Sequence, residues 1–292
     1  MRVQRFARPG DFLDAAGPFL LEHEAEHNLI LGLAAGLLHG EWSEQPPYLA
    51  AVEDGGALVL AALRTPPRNV VLSRCRDFRA LGLLLADLAP WLRELPGASG
   101  STEVARAFAS AWGAATGGSA EVAMAQRIYQ LDAVAPVVGV AGRLRRVTGD
   151  DRSLLVDWIE DFSRCESAIT HDDAGQVADR FLGADYRARG LYFWDVAGQP
   201  VAMVGHSGPT PRGMRIGPVY TPPRHRRRGY ASAATAALSQ ALLDSGRRFC
   251  FLYTDLANPT SNHIYQQIGY RPVADASQYR FAVDFAVDLT VH

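Results

Sequence analysis

The stretch GPVYTPPRHRRRGYASAATAAL, Gly217 to Leu238, decides how this chain is read. An apolar run ends at Tyr220, Pro222 and Pro223 make a rigid turn, and Arg224, Arg226, Arg227 and Arg228 crowd a loop that Gly229 closes. A run of small residues at helical spacing follows. A loop of this kind, opening a helix, offers unpaired backbone N–H groups and the positive end of the helix dipole to whatever lies in front of it. That suits an anion, a pyrophosphate above all. Gly229 permits backbone conformations denied to residues with a β-carbon, and the small Ala231 and Ser232 let phosphates approach the first turn. The four arginines also read as a solvated basic loop or a nucleic-acid patch. The strand, turn and helix context favours the anion cradle, as does the lack of an aromatic platform or a second basic stripe.

Outward from this loop, the second half reads as strand, two helices, three strands, helix, strand, helix, strand. RLRRV is a short strand before a helix capped at Asp150 or Asp151, with Leu154, Leu155, Trp158, Ile159 and Phe162 as its apolar stripe. A weaker helix spans Gln176 to Phe181. Strands LYFWDV, PVAMVGH and MRIGPVY lead to a helix from about Gly229 to Ser245, with Ala231, Ala234, Leu238, Ala241 and Leu242 on one face. FCFLYTDL is a buried strand, SNHIYQQIG a short helix ended by Gly269, and RFAVDFAVDL an alternating last strand through Phe281, Val283, Phe285 and Val287.

The segment Arg226–Ala231, RRRGYA, resembles the (Q/R)xxGx(G/A) signature of the GNAT superfamily of N-acyltransferases, placed as there between a strand ending in VYTP and a long helix. A second block, DLANPTSNHIYQQIGY, is similar to that family's Asn-containing strand end and the helix closing on YxxxGY. The two blocks cover roughly a quarter of the chain. The resemblance implies acetyl-CoA as cosubstrate, bound along Val219, Tyr220, Thr221, Arg226, Arg227, Arg228, Gly229, Tyr230, Ala231 and Ser232. It implies further that Asn258 bonds the pantetheine arm with Ser261 and Asn262 alongside, that the Val219 N–H meets the thioester carbonyl, and that Tyr265 protonates the leaving thiolate. Each residue also has a plain structural reading: Thr260 or Ser261 as a helix cap, Asn258 as a turn residue before Pro259, Tyr265 as a core tyrosine.

Aminolysis of a thioester needs a fixed donor at the developing oxyanion, an acid for the thiolate, and a base, because an alkylamine is mostly protonated at neutral pH. Glu166 is the first choice for that base, with His171, Asp172, Asp173 and His206 as other candidates; each carboxylate also reads as a loop or cap residue. Tyr192 and Trp194 read as pocket lining or, better, as core.

The first half follows nearly the same order. A strand at Val3 to Phe6, helices near Phe12 to Leu21 and Leu29 to Leu38, strands at Tyr48 to Val52, Ala57 to Leu63 and Val70 to Leu72, helices at Ala80 to Leu92 and Glu103 to Ala115, and a strand around Val122 to Leu131 make an internal repeat. The expected fold is therefore α/β (α+β): two tandem GNAT-like domains, each a mixed, mostly antiparallel sheet flanked by helices. Residues 1–134 form the degenerate copy, 135–142 a linker, and 143–292 the acetyl-CoA-binding catalytic domain. LSRCRDFRALGLLL, the counterpart of the arginine loop, lacks the RxxGxA pattern, so the first half is expected to complete the acceptor cleft or a dimer surface. Gly32 and Gly36 indicate close helix packing.

His23-Glu24-Ala25-Glu26-His27 fits HExxH, which on a helix places two imidazoles one turn apart for zinc. Ile30 stands where a metzincin continuation needs glycine, and only a distant Glu44 or Glu53 offers a third ligand. A polar helix face is the favoured reading, with zinc hydrolysis the remote alternative and no metal expected.

Composition bounds the rest. The 292 residues allow two domains, and the net charge of -2 gives no global pull toward nucleic acid. The basic side chains besides histidine are all arginine, a sign of coding bias rather than chemistry. Cys75, Cys165 and Cys250 are odd in number and scattered, which points to a reducing compartment, the cytoplasm. No signal peptide or membrane helix is expected, and the apolar run Leu29–Leu38 is about half a bilayer span. The expected partners are acetyl-CoA and an amine acceptor, the assembly a monomer or homodimer. An acyl-CoA-binding regulator that does not turn over is the alternative function.

Overall fold

The computed structural model describes residues 1–40, 45–165, 173–183, 185 and 187–283. The chain forms two compact units: Met1–Ile30, Gly36–Gln126 and Asp275–His292 make the first, Leu31–Ala35 and Arg127–Ala274 the second. The first half contributes β1 (Arg2–Arg5), α1 (Pro9–Leu21), α2 (Asn28–Leu38), β2 (Tyr48–Asp54), β3 (Ala57–Arg64), β4 (Val70–Leu72), α3 (Arg79–Asp87), β5 (Gly97–Ser101), α4 (Thr102–Thr116) and β6 (Ser119–Leu131). After an element-free stretch come β7 (Arg143–Arg146), α5 (Arg152–Cys165), α6 (Ala174–Leu182), β8 (Gly190–Val196), β9 (Gln199–Ser207), β10 (Gly213–Tyr220), α7 (Tyr230–Asp244), β11 (Phe249–Asp255), α8 (Pro259–Ile268) and β12 (Arg271–Ala282). The two halves run in the same order, so the repeat is real at the level of elements.

In the first unit the strands lie in the order β1-β2-β3-β4-β5-β12-β6; in the second, β6-β11-β10-β9-β8-β7. β1 to β4 pair antiparallel in turn, as do β5 with β12 and β7 to β10 in turn, whereas β4 with β5 and β10 with β11 are equivalent parallel pairs bridged by α3 and α7. β6 and β12 each supply residues to both units, β12 changing over between Ala274 and Asp275. The last strand thus lies earlier than RFAVDFAVDL suggests, over Arg271–Ala282, and Phe285 and Val287 lie outside the described residues.

β5, sequence GASGS, carries no strand signal, and the sequence reading passes over it. Its small residues answer to close backbones on both sides. A methyl on Gly97 would come within 1.9 Å of the Tyr279 carbonyl oxygen, and one on Gly100 within 3.1 Å of that of Leu72. From the end of β12, Phe281 stacks on the fully buried Trp112 at 4.1 Å, and the Trp112 indole donates to the Leu92 carbonyl. Burying such a pair stabilises the unit by a few kcal/mol.

The second unit has an apolar layer on each face of its sheet. Ala233, Ala234, Leu238 and Leu242 of α7 pack on Met214, Ile216, Cys250 and Leu252. Ala241, expected on this face, is exposed. On the other face Leu155, Trp158 and Ile159 of α5 and Phe181 of α6 pack on Leu191, Phe193, Met203 and Tyr220. α5 is entered through a 3-10 turn at Gly149–Asp151, and its capping box joins Thr148 to Asp151; the cap residue is the threonine, with Asp151 bonding back to it. Gly32 lies so close to the Gly208 backbone that a methyl there would reach Gly208 Cα at 2.7 Å, the close packing expected of α2.

Candidate acyl-CoA site

The ladder between β10 and β11 covers Gly213–Arg215 and Phe249–Phe251; the remainder of each strand lies outside it. The register of β10 against β9 shifts between Ile216 and Val219, where Gly217 takes φ 146°. The bulge reverses which face each side chain serves. Met214 and Ile216 join the α7 layer, and after the bulge Val219 packs there while Tyr220 turns into the α5 layer. The Tyr220 hydroxyl donates to Asp161 at 3.0 Å and its ring meets Trp158 edge-on, so it offers a ligand its backbone.

Beyond Tyr220 the chain makes a 3-10 turn over Pro223–His225, and the Arg226 N–H donates to the Pro223 carbonyl. The Arg226 guanidinium crosses the loop and donates from Nε to the Thr221 carbonyl at 2.9 Å. Arg227 holds φ 62°, a left-handed conformation uncommon outside glycine. Gly229 follows at φ 77°, ψ 3° as the N-cap of α7. Its carbonyl accepts the first helical bond, from Ala233, so the N–H groups of Tyr230, Ala231 and Ser232 have no helical partner. Arg224 Nε donates to His225 Nε2, while Arg226, Arg227 and Arg228 are exposed. A methyl on Gly229 would meet Val140 Cγ2 at 2.9 Å. The stretch before β7 is docked here: the Ala135 N–H donates to the Ile268 carbonyl, and the Trp194 indole donates to that of Ala141. Trp194 is a buried anchor for this stretch.

At α8, Asn258 is the N-cap. Its Oδ1 accepts the Ser261 N–H at 3.1 Å, which leaves Nδ2 for another acceptor. The structural and ligand-binding readings of Asn258 are therefore compatible. Asn262 is differently occupied: Nδ2 donates to the Asp255 and Asn258 carbonyls and Oδ1 accepts from the Tyr129 hydroxyl at 3.0 Å, so this side chain ties β11 to α8 and to β6. Tyr265 is nearly buried, its ring edge-on to Tyr270 at 6.0 Å. Tyr270 is the deeper of the two, bonded to Ser239, and burial holds its hydroxyl well above the usual phenol range.

Of the proposed bases, Glu166, His171 and Asp172 lie outside the described residues. Asp173 caps α6 by accepting the Gln176 N–H. His206 is buried, stacked on Tyr192, and lies over Gly190, whose missing Cβ leaves room for Nε2. Burial, reinforced by Arg247 and Arg146, lowers its pKa to about 4, which makes it a poor acceptor of an ammonium proton.

HExxH falls on turn residues between α1 and α2 and not on a helix. Both His27 nitrogens are used inside the fold: Nδ1 donates to the Leu20 carbonyl at 2.7 Å and Nε2 accepts the Arg74 N–H at 3.0 Å. A ligand role would require breaking one of these bonds in a buried ring.

A strand with a bulge, an opened parallel pair and a glycine-capped helix give the second unit the GNAT type of fold, and the first unit repeats its order of elements. Residues 196–280 match the family model described as FR47-like protein. A GCN5-related N-acetyltransferase from Sphaerobacter thermophilus superposes with a TM-score of 0.61 at 16% identity, covering 96% of this chain and 95% of that one. One from Kribbella flavida does so at 0.56 and 17%, covering 79% and 88%. A tandem GNAT protein from the clavulanic acid biosynthesis pathway, without acetyl-CoA, matches at 0.55 and 14%, covering 96% and 98%. At such identities the likeness is one of fold. No curated protein matches this chain. The fold of this chain is that of the GNAT N-acetyltransferases.

Arg215 escaped the sequence reading. Its signal was a single arginine in the otherwise apolar run of β10.

Proposed function

We propose that the second unit binds acetyl-CoA and transfers its acetyl group directly to a primary amine. The observation that carries this reading is the left-handed Gly229 at the head of α7, directly after a strand that diverges from its parallel neighbour. The diphosphate lies on the N–H groups of Tyr230, Ala231 and Ser232, and Asn258 Nδ2 donates to the pantetheine arm. The Val219 N–H faces the thioester carbonyl, where it stabilises the oxyanion as the amine attacks. Collapse breaks the C–S bond, and Tyr265 gives the thiolate its proton. Glu166 takes the proton released by the amine. The first unit, whose equivalent loop lacks the glycine-capped arginine pattern, binds no second cofactor. No helix among the described residues is long and apolar enough to cross a membrane; a cytoplasmic enzyme is proposed.

Calorimetric titration with acetyl-CoA, then thiol release against a panel of amines, tests this. Micromolar binding with turnover supports it, and absence of binding removes it. Binding with no turnover on any amine supports the acyl-CoA-binding regulator instead. Tyr265→Phe is expected to keep acetyl-CoA affinity and to lose about 100-fold in kcat; full activity at every pH removes the assigned acid.

A further inference from the structure

Arg215 lies in β10 two residues before Gly217 of the bulge, flanked by the buried Met214 and Ile216. Its Nη1 is out of contact with solvent and has no hydrogen-bond partner. Among the described residues no carboxylate pairs with it; the groups that act on its charge are the Tyr253 hydroxyl and the Arg189 guanidinium, a second cation. The guanidinium fits against Gly208, where a methyl would come within 2.8 Å of Nη2. The fold thus makes room for a positive charge in a poorly solvated place and, among the described residues, gives it no counter-ion. Burial weakens its hold on its proton and Arg189 weakens it further, yet an arginine keeps its charge. A half-buried cation whose inward-facing nitrogen has no partner is costly to hold, unless a ligand completes it.

We propose that Arg215 receives a carboxylate carried by the acceptor, so that the amine acetylated is that of an amino acid or another amine bearing a carboxylate. This rests on the acetyl-transfer reading above. The guanidinium is a planar fork that matches a carboxylate through two parallel N–H···O bonds. Arg215 stands four residues before Val219, roughly 13 Å along a strand, a span that the arginine side chain and a small amino acid cover together. Arg189, whose guanidinium lies 5.7 Å from the Phe181 ring centroid, adds positive potential on the same side. A charge balanced only when the acceptor arrives discriminates strongly against amines that lack the acid group.

The test uses the full chain, the common amino acids, and the amines of the same skeletons without the carboxylate. Wild type is expected to acetylate at least one amino acid more than tenfold better, in kcat/KM, than its decarboxylated counterpart. Arg215→Met is expected to raise KM for that amino acid about 100-fold, leave the decarboxylated amine within threefold, and leave acetyl-CoA affinity unchanged by calorimetry. Arg215→Lys, which keeps the charge and loses the fork, falls between. Without substrate, Arg215→Met melts at or above the wild-type Tm, and the preferred amino acid raises the Tm of wild type but not of the variant. Equal losses on both acceptor classes, a preference for amines without the acid group, stabilisation by inorganic phosphate in place of carboxylates, or a Tm that collapses in both variants would each overturn the proposal. Loss of acetyl-CoA binding in wild type refutes the parent reading, whereas the Tm shift by carboxylates still decides this one.

Discussion

Arg226 reaches across the loop and donates from Nε to the Thr221 carbonyl, joining the end of β10 to the entry of α7 by a side chain that leaves the backbone N–H groups of the helix uncovered. The arginine that opens the RRRGYA segment is therefore a brace. Arg226→Ala is expected to weaken acetyl-CoA binding about 3- to 10-fold by calorimetry, the range of one hydrogen bond, while Tm moves by no more than a degree or two. A loss of a thousandfold would mean that the guanidinium itself contacts the ligand.

Gly229 carries two separable constraints. Its positive φ excludes a β-carbon on backbone grounds, and Val140 excludes one on steric grounds. Gly229→Ala is expected to cost about 1–2 kcal/mol in chemical denaturation, with a larger loss of acetyl-CoA affinity. Adding Val140→Ala relieves the contact and leaves the backbone strain, so the double variant recovers part of the affinity. Full recovery would assign the whole effect to the contact.

The two asparagines of α8 should part company. Asn262→Ala removes three hydrogen bonds within the fold and is expected to lower stability by about 2–3 kcal/mol. Asn258→Asp keeps the capping oxygen and loses the free donor, so it should retain Tm and weaken acetyl-CoA binding several-fold. Equal effects of the two substitutions on binding would refute this division.

Protonation of His206 opposes folding. Its folded pKa of about 4 lies below the value near 6.5 that it has when unfolded. As pH falls from about 6.5 to about 4 the unfolded chain takes up a proton at this position that the folded chain refuses, and stability is lost. At about 1.4 kcal/mol per tenfold difference in proton affinity, the loss approaches roughly 3 kcal/mol at pH 4. His206→Phe, which keeps a ring against Tyr192, is expected to flatten urea midpoints between pH 7 and pH 4.5. His27, lowered mainly by its own burial, leaves a residual slope of the same sign. An unchanged slope in the variant would show that other groups carry the acid sensitivity.

How much of this was legible beforehand divides along physical lines. Elements with a strong period came through: the α5 stripe, the apolar run of β11 and the glycine before α7 each followed from local sequence. β5 did not, because GASGS is chosen by its neighbours, whose backbones leave no room for side chains, and no local propensity records that. Ala241 was placed on the wrong face of α7 because alanine alone scarcely distinguishes core from surface. Within the site, the loop was readable as a pattern of residue types, while the occupation of Asn262 by Tyr129 rests on a contact 133 residues apart. HExxH reads as a polar helix face, but it lies on turn residues, because His27 is committed by both ring nitrogens to Leu20 and Arg74.

The last strand, finally, sets an order on synthesis. Residues 275–283 belong to the first unit, and Phe281 fills its core against Trp112. The unit encoded first therefore cannot close its sheet while the chain is still growing; it waits, incomplete, until the second has been translated. A cut in the stretch between β6 and β7 would not yield two independent halves but one unit stripped of a strand and another trailing it, an exposed edge seeking a partner.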